Sequence, residues 1–187
     1  MNTIVTVGAN KYVVDTSFGP FGSPCPILLA HNEPIVDVWP RYRRMIHSSI
    51  PGWTDKDQKW WRMQYGDSIN GPWMDVNCFV ESEWRPVDFQ IMVAGIESLG
   101  LGWFKSSVVC FRIILEEDIP VGYLMIWQDE LRRFYKGQSH VLEKFHNESD
   151  RAAALETNFN IWLTDNERKQ IVGTNTELKD LSFDFYG

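Results

Sequence analysis

The sequence predicts a single α+β domain over residues 1–187, built on a mainly antiparallel sheet with a central hairpin at about 108–127 and packed by several helices. Three observations predict it. Val108–Leu115 and Val121–Trp127 are two adjacent apolar runs, rich in β-branched residues and divided by the acidic turn Glu116-Glu117-Asp118, the pattern of two well-covered strands. Elsewhere apolar residues recur at three- and four-residue spacing, the pattern of amphipathic helices. Hairpins and helices alternate without a regular strand–helix repeat, which excludes a doubly wound parallel sheet.

From the start of the chain, Thr3–Val7 and Lys11–Asp15 read as a hairpin around Gly8-Ala9-Asn10, because that turn tolerates positive φ. Phe18 to Pro26 carries two glycines and three prolines and reads as a loop; its prolines donate no N–H, so it makes a poor anion cradle. Ile35, Val38, Trp39, Tyr42, Met45 and Ile46 fall at helical spacing, interrupted by Pro40. Thr54-x-x-Asp57 reads as a capping box opening a second helix through Trp60, Trp61 and Tyr65, and Gly66–Pro72 as a loop. A third helix runs from Pro86 through Phe89, Met92, Val93 and Ile96 to Leu99, with Gly100 as its stop. After the central hairpin, Asp129 is placed as the cap of a long helix with its stripe at Leu131, Phe134, Tyr135, Leu142 and Phe145, followed by a short helix near Ala152–Leu155. Phe159, Ile161 and Leu163 alternate as a strand. Thr164-x-x-Glu167 reads as a capping box closed by Gly173, and Leu181, Phe183 and Phe185 as a last strand.

A chain of this length buries a sizeable core, and it has no internal repeat, linker or block of like charge. The formal charge of −7 argues against general nucleic-acid binding, which needs excess Lys and Arg to displace counterions. Cys25, Cys78 and Cys110 are odd in number and lack a C-x-x-C, so they form neither a disulfide framework nor a zinc site. With no leader pattern and no apolar run near the roughly 18 residues that span a membrane, the expectation is a cytoplasmic protein. Nine tryptophans, including Trp103, stand out, because Trp suits both cores and binding surfaces.

His140-x-x-Glu143-x-x-His146 would span one face of a helix, but His140 and Glu143 fall opposite the apolar stripe and so point to water; no metal is expected there. Asp37, Arg41, Arg44 and Ser48 align as a second, solvated helix face. Arg112 interrupts a buried strand, where a guanidinium must be paired or must await an anionic ligand, unless it lies near a sheet edge and reaches water, which is the reading preferred. Neither Cys25 nor Cys110 can be set beside a histidine from sequence, and no hydrolase, zinc-protease or dinucleotide motif occurs, so no catalytic set and no cofactor are assigned. Between Gly66 and Trp84 the chain holds Asp67, Asp75, Glu81 and Glu83 with no Lys or Arg, alongside Trp73 and Trp84. Acidic residues around a Trp anchor steer a basic protein partner, so Trp73, Asp75, Glu81, Glu83, Trp84 and Arg112 form the expected binding set.

Leu115–Trp127 resembles the hairpin of acetyl-CoA-dependent N-acetyltransferases, which implies a pyrophosphate-binding loop of the form Gln/Arg-x-x-Gly-x-Gly/Ala. Arg132-Arg133-Phe134-Tyr135-Lys136-Gly137 does not have that spacing, so membership does not follow. The reading that remains is a non-catalytic protein-binding module, an inhibitor or immunity-type protein acting on a basic partner. The alternatives are a small group transferase that uses Arg112 or Arg132-Arg133 for an anionic substrate or cofactor, and a structural subunit of a larger assembly, viral or otherwise.

Overall fold

Where a helix is expected at 35–50, the chain instead forms strands. The computed structural model describes residues 2–15, 18, 22–99 and 106–178. Its elements are β1 (Thr3–Val7), β2 (Asn10–Val14), β3 (Ile27–Leu28), β4 (Ile35–Val36), β5 (Tyr42–Ser48), β6 (Trp60–Gly66), β7 (Met74–Phe79), α1 (Pro86–Leu99), β8 (Val109–Glu116), β9 (Ile119–Trp127), β10 (Glu130–Tyr135), β11 (Gln138–Lys144), α2 (Glu148–Phe159) and α3 (Asp165–Lys169). Sheets ordered β1-β2-β3, β4-β5-β6-β7 and β11-β10-β9-β8 dominate. The expected helix-packed α+β architecture is therefore corrected to a sheet-dominated one.

Two compact units divide the chain. The first takes residues up to Ser82 with Ile113–Gly122 and Tyr135–Gly137; the second takes Glu83–Arg112, Tyr123–Phe134 and the residues from Gln138 on. In the first, the β1–β2 hairpin stands as expected, with Gly8 at φ 62°. Val13 and Ile27 meet Met45 and Met63 in a buried core, bordered by Leu29, Ile35, Trp61 and Phe79. The core of the second unit is Ile126, Leu131, Phe145 and Ala154, with Cys110, Leu155, Phe159 and Leu178 packed on it.

The helices expected at 35–50, 54–65 and 129–145 fail for local reasons. At 35–50, Pro40 removes an N–H and fixes its φ in mid-run, and the chain re-pairs as β4 and β5. The Thr54 box does not form; Asp55 Oδ1 instead accepts the N–H groups of Asp57 (2.9 Å) and Gln58 (3.2 Å), an Asx turn that ends where β6 begins. At 129–145 the break is Lys136-Gly137, at φ 47° and 85°. Two positive φ values make a two-residue turn that matches strand twist, so β10 and β11 fold back on each other. Glu117-Asp118 (φ 49° and 63°) makes the corresponding turn between β8 and β9. The hairpin expected at 108–127 is thus present, but β8 lies at the edge of its sheet and β9 inside it.

Helix α1 takes the bounds expected from sequence, while α2 extends the short helix expected near 152–155. Asn147 caps α2 by accepting from the Asp150 N–H at 3.0 Å. The Thr164/Glu167 capping box closes around α3, which ends before Gly173. Phe159 belongs to α2 and Ile161 and Leu163 to irregular chain, so the strand expected there is absent. Gly100, Trp103, part of the Phe18–Pro26 loop and the Leu181–Phe185 strand lie outside the described residues.

Candidate functional site

Antiparallel register sorts β5, β6 and β7 into two faces. Arg43, Met45 and His47 oppose Tyr65, Met63 and Trp61, while Arg44 and Ile46 oppose Gln64 and Arg62. Side chains alternate along a strand, so Arg43, Met45 and their partners line the core face, and Arg44, Ile46 and theirs lie on the outer face. A bulge at Met63/Gln64 leaves Val76 unpaired and sets Asp75 opposite Gln64. The outer face therefore collects a connected polar network. Arg44 Nε donates to Gln64 Oε1 (2.9 Å), Gln64 Nε2 to Asp75 Oδ1 (3.0 Å) and Arg62 Nε to the same oxygen (3.1 Å). A further Arg62 donor reaches Ser48 Oγ at 3.1 Å, and the Arg44 guanidinium lies 4.1 Å over the Trp73 ring. Burial alone would raise the Asp75 pKa, but bonds from Arg62 and Gln64 and the charges of Arg62 and Arg44 hold it below the ordinary carboxylate range. Burial, and then Arg62, lower the Arg44 pKa.

At the margin of the core face, His47 stacks on its cross-strand partner Trp61, with ring centroids 4.7 Å apart. Trp61 Nε1 donates to Glu81 at 2.9 Å and Lys11 Nζ to the same carboxylate at 2.5 Å; these two bonds hold the Glu81 pKa low. The His47 N–H donates to His31 Nδ1 at 3.0 Å, which fixes that nitrogen as an acceptor.

Deeper in the first unit, Arg43 grips Asp37 through two hydrogen bonds of 2.9 and 2.8 Å and donates a third, at 3.5 Å, to the Gly22 carbonyl. Both side chains are buried. Sequence reasoning set Asp37 on a solvated helix face and did not select Arg43. The missed signal was the period-two placing of Arg43 with Met45. Burial, and then the nearby Asp37 charge, push the Cys25 thiol up; burial does the same to Cys110. A nucleophilic cysteine needs the opposite shift.

The second unit holds a cavity of about 350 Å³ walled by Val108, Ala152, Leu155, Leu163 and Ile171, with Glu167 and Arg168 among its lining residues. That volume suits a small organic group. Arg151, in its lining, pairs with Glu148 and donates to the carbonyls of Gln128 (3.1 Å) and Thr176 (2.9 Å), so it ties the cavity wall together.

Of the expected binding set, Trp73, Asp75 and Glu81 belong to the first unit and Glu83, Trp84 and Arg112 to the second. Asp75 and Glu81 are neutralised by Arg62 and Lys11 and Trp73 is half-buried under Arg44, while Glu83 and Trp84 are exposed. Arg112 is exposed on β8, at the edge of its sheet, as the sheet-edge reading of it expects. His140 and Glu143 lie on strand β11 and His146 beyond it, so the helical geometry behind that trio does not exist. All three cysteines are free.

No protein-family model matches the chain. Over 180 residues it is 26% identical to the N-malonyltransferase FDB2 of Gibberella moniliformis, a match covering 91% of this chain and 52% of that protein. The Fusarium pseudograminearum protein of the same name is 26% identical over 181 residues, again 52% of its length. The chain thus spans about half the length of the curated relatives it matches. Among solved structures, the arylamine N-acetyltransferase of Mycobacterium abscessus superposes with a TM-score of 0.70 at 18% identity, over 90% of this chain and 56% of that one. The Salmonella typhimurium enzyme gives 0.68 at 15%, over 91% and 59%. This chain has the arylamine N-acetyltransferase fold over the matched part. These likenesses overturn the reading as a non-catalytic protein-binding module and point to an acyltransferase, the group-transferase alternative. Among the described residues, no helix is long and apolar enough to cross a membrane.

Proposed function

We propose that the chain is the sheet-built part of a cytosolic N-acyltransferase that moves a small acyl group from a thioester donor to an amine nitrogen. In that step the donor's C–S bond breaks, a C–N bond forms, and the amine proton leaves with the thiol. The observation that carries the reading is that two likenesses fall on one span: 26% identity to N-malonyltransferases over 91% of the chain, and the fold of the arylamine enzymes over 90% of it. A matched Mycobacterium marinum enzyme, at a TM-score of 0.63, was solved in complex with CoA, which supports a CoA thioester as donor here. Burial pushes the Cys25 and Cys110 thiols up, which disfavours either as an attacking thiolate. The exposed Arg112 is suited to the donor's phosphates, because a guanidinium forks onto phosphate oxygens.

Titration calorimetry with CoA, acetyl-CoA and malonyl-CoA, and thiol release in the presence of arylamines, test the proposal. Donor binding, weakened several-fold in Arg112→Ala, is expected. Absence of both binding and release would contradict it.

A further inference from the structure

Protein interiors pack with few voids larger than a water molecule, yet the second unit holds a cavity of about 350 Å³ lined by α2 and α3. Its apolar part is shielded from solvent: Ala152 is buried, and Leu155, Leu163 and Ile171 are half-buried. Glu167 and Arg168, both exposed, stand at its mouth. A cavity of mostly apolar lining with a few polar groups is the form of a small-molecule site.

Four charged side chains line the cavity, and three of them are committed within the fold. Glu148 and Arg151 neutralise each other. Glu148 also accepts the Leu178 N–H at 2.7 Å, and Arg151 donates to two backbone carbonyls. Glu167 Oε2 accepts the Thr164 N–H at 2.8 Å and its hydroxyl at 2.7 Å. Arg168 differs. Its Nε donates to the Leu163 carbonyl at 3.1 Å, which ties the guanidinium to another residue of the lining. Among the described residues, nothing accepts from its two terminal nitrogens. The cavity thus offers an apolar floor and, at its mouth, one positioned cation with a free donor fork.

We propose that this cavity binds a small monocarboxylic acid with an apolar tail. The tail lies against Ala152, Leu155 and Ile171, and the carboxylate accepts from both terminal nitrogens of Arg168. A planar guanidinium matches a carboxylate through two parallel bonds. Glu167, next to Arg168 in the lining, disfavours a dianion such as a phosphate monoester, because like charges repel. The proposal goes beyond the transferase reading and does not depend on it.

Octanoate is the probe, titrated into the 187-residue chain by calorimetry and followed by methyl NMR. Octanol and octylammonium carry the same tail with a neutral and a positive head. One octanoate per chain is expected, with shifts centred on the methyls of Ala152, Leu155, Leu163 and Ile171. It should bind about ten-fold more tightly than octanol, the worth of a charge-assisted hydrogen bond, and more tightly still than octylammonium. Arg168→Gln should abolish that preference, and Ile171→Trp, which fills the cavity, should abolish binding. Arg168 is exposed, so Arg168→Gln keeps the test decisive if Ile171→Trp does not fold. Four results overturn the proposal: no saturable binding of octanoate, octanol or octylammonium bound as tightly, shifts centred on α1 instead, or Arg168→Gln binding octanoate as the unsubstituted chain does. The readout uses no acyl donor, so its failure leaves the transferase reading standing, and failure of acyl transfer leaves this site standing.

Discussion

Replacing Asp37 by Ala isolates a buried ion pair in the first unit. Asp37 and Arg43 are 4% and 3% exposed, and two charge-assisted bonds of 2.9 and 2.8 Å join them. Without the carboxylate, the guanidinium keeps only the 3.5 Å contact to the Gly22 carbonyl and a 3.3 Å contact to Met63 sulfur, neither of which neutralises it. Breaking a buried pair in this way costs about 3–5 kcal/mol. At about 2–4 °C per kcal/mol for a chain of this size, the thermal midpoint should fall by about 6–20 °C. Urea and thermal unfolding followed by circular dichroism provide the assay. Asp37→Leu combined with Arg43→Met should recover most of the loss, because the desolvation penalty disappears together with the pair. A single-variant cost below about 1 kcal/mol, or a double variant no better than the single one, would refute the reasoning that a stranded guanidinium is the cause.

Ile126 is fully buried and Met125 is not, so Ile126→Ala should cost about 2–5 kcal/mol and Met125→Ala distinctly less in urea unfolding. Asp75 and Glu81 have folded-state pKa values below the ordinary carboxylate range. Their contribution is therefore complete above the unfolded-state pKa and is lost as pH falls through the folded values; thermal midpoints should drop below about pH 4, and less steeply in Asp75→Asn. Alkylation of Cys25 should accelerate only above the ordinary thiol pKa of about 8.5, which iodoacetamide rates across pH would show. Thr164→Ala should cost about 1 kcal/mol of local stability at α3, read by hydrogen exchange.

The sequence carried the strongly periodic or punctuated elements and lost the ambiguous ones. The β1–β2 and β8–β9 hairpins, α1 and the Thr164/Glu167 box were legible because Gly8, the Glu117-Asp118 turn, Pro86 and the capping residues act locally. The stretch 129–145 was read as a helix because Leu131 and Phe134 sit three residues apart. The decisive signal was Lys136-Gly137, whose positive φ values only a hairpin needs. Trp60, Arg62 and Gln64 share a face at period two, a strand signal hidden by the adjacent pair Trp60-Trp61. The polar network was not legible, because Asp75 reaches Gln64 and Arg62 only through pairing with a bulge in its register. Of the apparent acidic patch, Asp67, Asp75 and Glu81 turned out to be ion-paired with Arg41, Arg62 and Lys11, partners distant in sequence.

The most direct test of the account is mass spectrometry of an arylamine incubated with isotope-labelled malonyl-CoA or acetyl-CoA and this chain, alone and together with the unmatched part of the Gibberella moniliformis protein. The account predicts a labelled N-acyl product whose formation requires the chain and which is diminished in Arg112→Ala. A mixture that binds donor yet yields no labelled amide with any arylamine, or one whose yield is the same without the chain, would contradict it.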